Sequence, residues 1–164
     1  MNEAVDHPAS ATRRPFLHMP VPWVFLLAFL LGVGLQLLLP VSSASSTLSL
    51  LARVAGVVLF VAGAVLAGWG LVLFHRLETT TTPGEAPNNL VTTGPYRFTR
   101  NPMYLGLVLA YLGEQGMLVL AWPLLFLVLT IGYVNGFVLP IEESSLRAFG
   151  PAYEAYRARV RRWI

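Results

Sequence analysis

The 164-residue chain has no cysteine and no lysine, and only 12% of its residues are charged. Without cysteine there is no disulfide, no thiolate metal site and no cysteine nucleophile, and no metal is expected. The charged fraction is about half the ~25% of ordinary soluble domains. With 55% hydrophobic residues and a mean hydropathy of +0.64, this points to a one-domain integral membrane protein. What charge there is has a pattern. All eleven positive side chains are arginine and they cluster between apolar runs, which puts the formal charge of +3 at a membrane edge and gives no reason to invoke nucleic acid.

Residues 1–15 are polar, carry Pro8 and Pro15 and show no helical or strand period, so they read as a mobile tail. Arg13 and Arg14 close it, and TRRPFLH resembles a twin-arginine export signal with VSSASS as a cleavage region. The uncharged run Val21–Leu39 is longer than the ~7–15 residues of a signal core, however, and three further apolar segments follow, which favours an uncleaved first transmembrane helix. Crossing a ~30 Å hydrocarbon layer takes about 20 apolar residues. Val21–Leu39, Val54–Phe74, Pro102–Ala121 and a shorter run from Pro123 to Leu139, ending at Pro140, are the candidates. Residues 16–75 thus hold two scaffold helices. Trp122-Pro123 leaves room only for a tight hairpin or the break in a helical pair. Arg13, Arg14, Arg76, Arg97, Arg100, Arg147, Arg157, Arg159, Arg161 and Arg162 all fall on one side of this four-span arrangement. The opposite loops hold only Arg53, read as a snorkelling anchor, so the positive-inside rule puts both termini and the long middle loop in the cytoplasm.

Gly56, Gly63, Ala67 and Gly70 put small residues along one face of the second helix, and Gly106, Ala110 and Gly113 do the same on the third, so the two stripes can face each other. Between these helices the threonine run Thr79–Thr82 is followed by Pro83, Gly84, Pro87, Asn88, Asn89 and Gly94-Pro95. Such a segment cannot lie in lipid with its backbone groups unpaired and is expected as an ordered cap over the helix ends. It closes with Asn101-Pro102, a cap residue and a first-turn proline, which starts the third helix with its free N–H groups facing the loop. Arg97 and Arg100 add full charge there. Either this end binds a carboxylate or phosphate, or Asn101 only caps and the arginines only meet lipid phosphates. Glu142 and Glu143 follow Pro140 on the same side. Adjacent helical carboxylates point about 100° apart, so one can face a pocket while the other holds an arginine.

The strings GPYRFTRNPMYLG and EESSLRAFGPAYEAYRARVRRWI resemble the isoprenylcysteine carboxyl methyltransferase and phospholipid methyltransferase family of small membrane enzymes. The resemblance covers Thr80 to the C-terminus. It implies an all-α integral membrane protein with about four transmembrane helices, a cytoplasmic cofactor-binding loop and a C-terminal interfacial helix, residues 76–164 forming the methyltransferase core. It further implies a bacterial-type inner membrane and S-adenosylmethionine bound by Tyr96, Arg97, Arg100, Asn101, Pro102, Tyr104, Gly106, Glu142 and Glu143, with Arg100, Asn101 and Glu143 nearest the chemistry. Eukaryotic carboxyl methyltransferases have Arg-His-Pro where this chain has Arg100-Asn101-Pro102, as many bacterial members do. The residue types suit the cofactor. Arg97, Arg100 and the helix start fit its carboxylate, Glu142 or Glu143 its ammonium, and Tyr96 or Tyr104 its sulfonium, by cation–π attraction of ~0.5–2 kcal/mol. A carboxylate acceptor needs no base; a lipid amine must lose a proton, for which His75 and Glu143 are the candidates.

Glu114 and Gln115 are expected near the middle of the third helix, where a carboxyl costs at least ~2.5–3.5 kcal/mol and is by default a functional candidate. Glu114 lines an acceptor cavity, like His75 at the loop, or marks a break in a helical hairpin, or, protonated, bonds structurally to a neighbouring helix. At Pro151–Ile164, Tyr153, Tyr156, Val160, Trp163 and Ile164 interleave with arginines, the pattern of a helix lying at headgroup level. The acceptor is expected to be lipid-like. Competing readings are an NAD(P)H-dependent sterol-type membrane reductase, which shares the arginine turn before a helix, a small proton-coupled multidrug exporter using Glu114, and a non-enzymatic membrane partner protein. The oligomeric state is not encoded in any readable way.

Overall fold

The computed structural model describes residues 20–41, 46–77 and 88–164. The expected tail at 1–15 with Arg13 and Arg14, and the loop stretch Thr79–Thr82 with Pro83, Gly84 and Pro87, lie outside the described residues. Among the described residues every regular element is helical. The elements are α1 (Val21–Leu38), α2 (Ser46–Arg76), α3 (Pro102–Leu118), α4 (Pro123–Tyr133), α5 (Leu139–Leu146) and α6 (Pro151–Arg159). Short tight turns of 3-10 type cover Gly94–Arg97 and Arg147–Phe149, and a wide π-type turn, Val134–Val138, joins α4 to α5.

Three stretches are long and apolar enough to cross a membrane: Val21–Leu38, Thr47–Arg76 and Pro123–Phe149. The fourth expected span, α3, has 17 residues and a length of about 25 Å, at the short end for a crossing helix. It lies between α2 on one side and α1 and α4 on the other. Lipid removes most of the hydrophobic drive for helices to associate, so close backbone approach and buried hydrogen bonds must hold them together.

The glycine stripes supply the close approach. A Cβ built on Gly106 would lie 2.6 Å from the Ala67 nitrogen, one on Gly56 would lie 2.7 Å from the Gly113 oxygen, and one on Gly70 would lie 2.7 Å from Met103 Cγ. The partners run in opposite order along the two helices, so α2 and α3 are antiparallel and in backbone contact. The outer face of α2, with Val54, Val58, Val61 and Val65, is exposed and suited to lipid.

At the end opposite the arginines, α1 is tied to the α3–α4 hairpin. Gln36 Oε1 accepts from the Ala121 and Trp122 amides (3.2 and 3.4 Å), and Trp122 Nε1 donates to the Leu39 carbonyl at 2.8 Å. Tyr111 is buried edge-on to Phe25 and Phe29 and donates to the Pro123 carbonyl at 2.9 Å.

Several boundaries differ from the sequence expectation. The second helix begins at Ser46, not Val54, because arginine is a good helix former and Arg53 rides on the exposed flank without ending it. The third ends at Leu118, not Ala121, where Val119 takes a left-handed φ of 53° and Gln115 Nε2 donates to the Leu120 carbonyl at 2.7 Å. Glu114 therefore lies near that helix's end, not its middle. The fourth does not stop at Pro140. Proline lacks an N–H and its ring clashes with the preceding turn, but the wide turn Val134–Val138, in which the Leu139 amide reaches the Val134 carbonyl, precedes it and the helix runs on.

Candidate active site

The loop 94–101 starts at Gly94, whose φ of 59° is left-handed, against Trp69 and Leu73 of α2. The tight turn that follows buries Pro95 and Tyr96. Tyr96 stacks on Phe74 with ring centroids 5.2 Å apart, and its carbonyl accepts from the Tyr156 hydroxyl at 2.8 Å. The chain then turns outward at Arg97 and Phe98, both exposed, and back inward at Thr99 and Arg100.

Asn101 occupies the cap position of α3 without capping it. Its side-chain amide donates instead to the Arg162 carbonyl at 2.8 Å, beside the Thr99 hydroxyl at 3.2 Å, and its own N–H donates to Thr99 Oγ1 at 3.2 Å. The α3 start thus has no side-chain cap, an arrangement open to an anion.

The two carboxylates divide their partners. Both oxygens of Glu143 are taken by arginines: Arg100 Nη1 donates to Oε1 at 2.9 Å, and Arg162 donates through Nε to Oε1 at 3.0 Å and through Nη2 to Oε2 at 2.6 Å. The Glu143 side chain is only 14% exposed, and its charge-assisted bonds push the Arg162 guanidinium above its already high ordinary value. Glu142, partly buried, accepts a hydrogen bond from the Tyr104 hydroxyl and has no arginine partner among the described residues. Two buried polar atoms nearby have no partner among the described residues, the Tyr96 hydroxyl and Arg100 Nε.

Burial holds the Tyr96 hydroxyl protonated far above the ordinary tyrosine range and pushes Tyr156 up to about 12. Tyr153 is also raised, by burial and by Glu143, while Arg100, 3.3 Å from its hydroxyl, opposes the shift. All three are neutral at neutral pH, and of their hydroxyls those of Tyr153 and Tyr156 are hydrogen-bonded.

Tyr96, Arg100, Asn101, Pro102, Tyr104, Glu142 and Glu143 are thus gathered where the loop, α3 and α5 meet. The other expected residues stand apart. Arg97 points outward with no hydrogen bond or ion pair among the described residues, Gly106 is in the α2–α3 seam, His75 is exposed on the last turn of α2, and Glu114 is near the far end of α3. Sequence reasoning missed Arg162, which was one of several arginines in a basic run, and Asn135. It also turned Tyr153 and Tyr156 towards lipid. In the structure α6 lies at the arginine-rich end, but both rings are buried against the site and its exposed face carries Arg157 and Arg159. Helical spacing alone cannot tell a lipid-facing aromatic stripe from one that covers a loop.

Beside the loop runs a mostly apolar groove of about 250 Å³, lined by Leu66, Trp69, Pro95, Phe98, Leu105 and Trp163 among others. Among the described residues no group of acidic, histidine or cysteine side chains is placed to hold a metal ion.

A family model described as phospholipid methyltransferase matches residues 51–150. Nothing among curated proteins and nothing among solved structures matches the chain.

Proposed function

Because the chain belongs to the phospholipid methyltransferase family and so is a membrane methyltransferase, we propose that it transfers a methyl group from S-adenosylmethionine to a lipid-like acceptor at the cytoplasmic face of the membrane. The observation that carries this reading is Glu142, a carboxylate with a tyrosine partner and, among the described residues, no cation, on the same side as an uncapped helix start and an Arg100 Nε that has no partner among them. One small region offers a cation seat and an anion seat together, the pair that a zwitterionic amino-acid moiety requires.

The residues present fit that cofactor. Glu142 would hold its ammonium, and the α3 start with Arg100 Nε its carboxylate. The Tyr96 ring, whose hydroxyl has no partner, and the Tyr104 ring would face its cationic centre. When bound, it supplies an electrophilic methyl carbon, which an acceptor oxygen or nitrogen attacks in line as the carbon–sulfur bond breaks and the thioether leaves. The chain's part is placement and exclusion of water. Glu143, held by two arginines, and Glu142, assigned to the cofactor's ammonium, are unsuited to take a proton, so an amine acceptor would release its proton to water. The groove along Leu66, Trp69 and Leu105 offers an apolar path for an acceptor's tail from the lipid side.

Calorimetric titration of detergent-solubilised protein with S-adenosylhomocysteine tests the reading. Micromolar binding is expected for the wild type, with loss in Glu142→Gln and in Arg100→Ala. A folded wild type that binds a nicotinamide cofactor and no S-adenosylhomocysteine would sink it in favour of a reductase.

A further inference from the structure

We propose that residues Val160–Ile164 form a latch over the site, with Arg162 as the positioning residue that decides which of the two adjacent carboxylates faces the cofactor. The inference rests on the functional reading above but uses a segment outside the family match at residues 51–150.

The segment leaves α6 at Val160 in extended conformation and is attached to three separate elements. Its carbonyls hold the loop: Arg161 accepts from the Arg100 amide at 3.0 Å, and Arg162 accepts from Asn101 Nδ2 and Thr99 Oγ1. The Arg162 guanidinium holds α5 by gripping both oxygens of Glu143. Arg162 Nη1 and Trp163 Nε1 hold the wide turn, donating to Asn135 Oδ1 at 3.3 and 3.4 Å. One residue, Arg162, therefore links the loop through its carbonyl to both parts of the helix that carries the carboxylates through its guanidinium.

The consequence for Glu142 is geometric. Because neighbouring helical side chains diverge by about 100°, fixing Glu143 fixes the rotation of α5 and leaves Glu142 directed at Tyr104. Glu143 also fixes Arg100 through Nη1, which leaves Nε as its partnerless donor. Among the described residues Arg162 makes no side-chain bond to Glu142, Tyr104 or Arg100, and it acts on the carboxylate pair through Glu143. A fork matters here, since a lysine ammonium in its place could reach one carboxylate oxygen but not grip both.

The test compares wild type, Arg162→Lys and Arg162→Gln in detergent by two measurements. The first is calorimetry with S-adenosylhomocysteine, which separates affinity from the fraction of competent protein. The expected result is unchanged stoichiometry with Kd raised about tenfold or more in Arg162→Gln and by an intermediate factor in Arg162→Lys. Lowered stoichiometry at unchanged Kd, the signature of misfolded protein only, would overturn the proposal, as would unchanged values throughout. The second is hydrogen exchange at the Arg100 amide, which should quicken in Arg162→Gln. If the wild type binds no S-adenosylhomocysteine, the functional reading fails, and exchange alone decides the latch: faster exchange supports it and unchanged exchange refutes it.

Discussion

Glu142 and Glu143 are chemically identical neighbours with different partners. Glu143 is a structural joint between Arg100 and Arg162, so Glu143→Gln is expected to cost about 2 kcal/mol, several degrees in a thermal melt. Glu142→Gln keeps an acceptor for Tyr104 and should leave the melting temperature almost unchanged while weakening S-adenosylhomocysteine at least about tenfold. Tyr156 provides a pH signature. Its folded hydroxyl is pushed up to about 12, chiefly by burial, so above the ordinary tyrosine value near 10 the unfolded chain loses a proton that the folded one keeps. Stability should fall as pH rises from about 10 to 12, and Tyr156→Phe should flatten that slope in alkaline melts. The residues gathered in the candidate site were legible in the sequence because an arginine turn before an Asn-Pro helix start and an adjacent carboxylate pair are unusual among apolar runs. The sequence left the choice between the carboxylates open, since that depends on Arg162, separated from Glu143 by a whole helix.

Among the elements, the pairing of α2 with α3 was legible because small residues at helical spacing have few other uses in lipid. Their tolerance to an added methyl group should follow the local geometry. Gly106→Ala meets backbone and is expected to cost about 2 kcal/mol, whereas Gly68→Ala, with open space around it, should gain up to about 1 kcal/mol by helix propensity. Chemical-denaturant or thermal unfolding of the two variants side by side checks this. Less legible was the continuation through Pro140. A proline inside an apolar run reads as a stop, and only the three-dimensional accommodation by Val134–Val138 shows that it is not one. The same wide turn carries Asn135, the anchor that the tail needs, so the irregularity and the site are built from one feature.

For the whole molecule, the lack of cysteine is an experimental advantage. Single cysteines at exposed Val41 and Ala155 should label from opposite sides of intact cells: Val41→Cys with an impermeant maleimide added outside, Ala155→Cys only after permeabilisation. The reverse pattern would invert the proposed orientation and put the site outside. At 31 residues α2 is about 46 Å long, well beyond a ~30 Å hydrocarbon layer, and it packs chiefly on α3. A helix with this much excess length tilts in a thin bilayer and straightens in a thick one. Gly70 of α2 lies against Met103 of α3 and Phe74 stacks on Tyr96 of the loop, so a change in that tilt is expected to reach the loop. Methyl transfer by protein reconstituted in vesicles of graded acyl-chain length should therefore peak at one thickness and fall on either side, making the enzyme a gauge of the membrane it is embedded in.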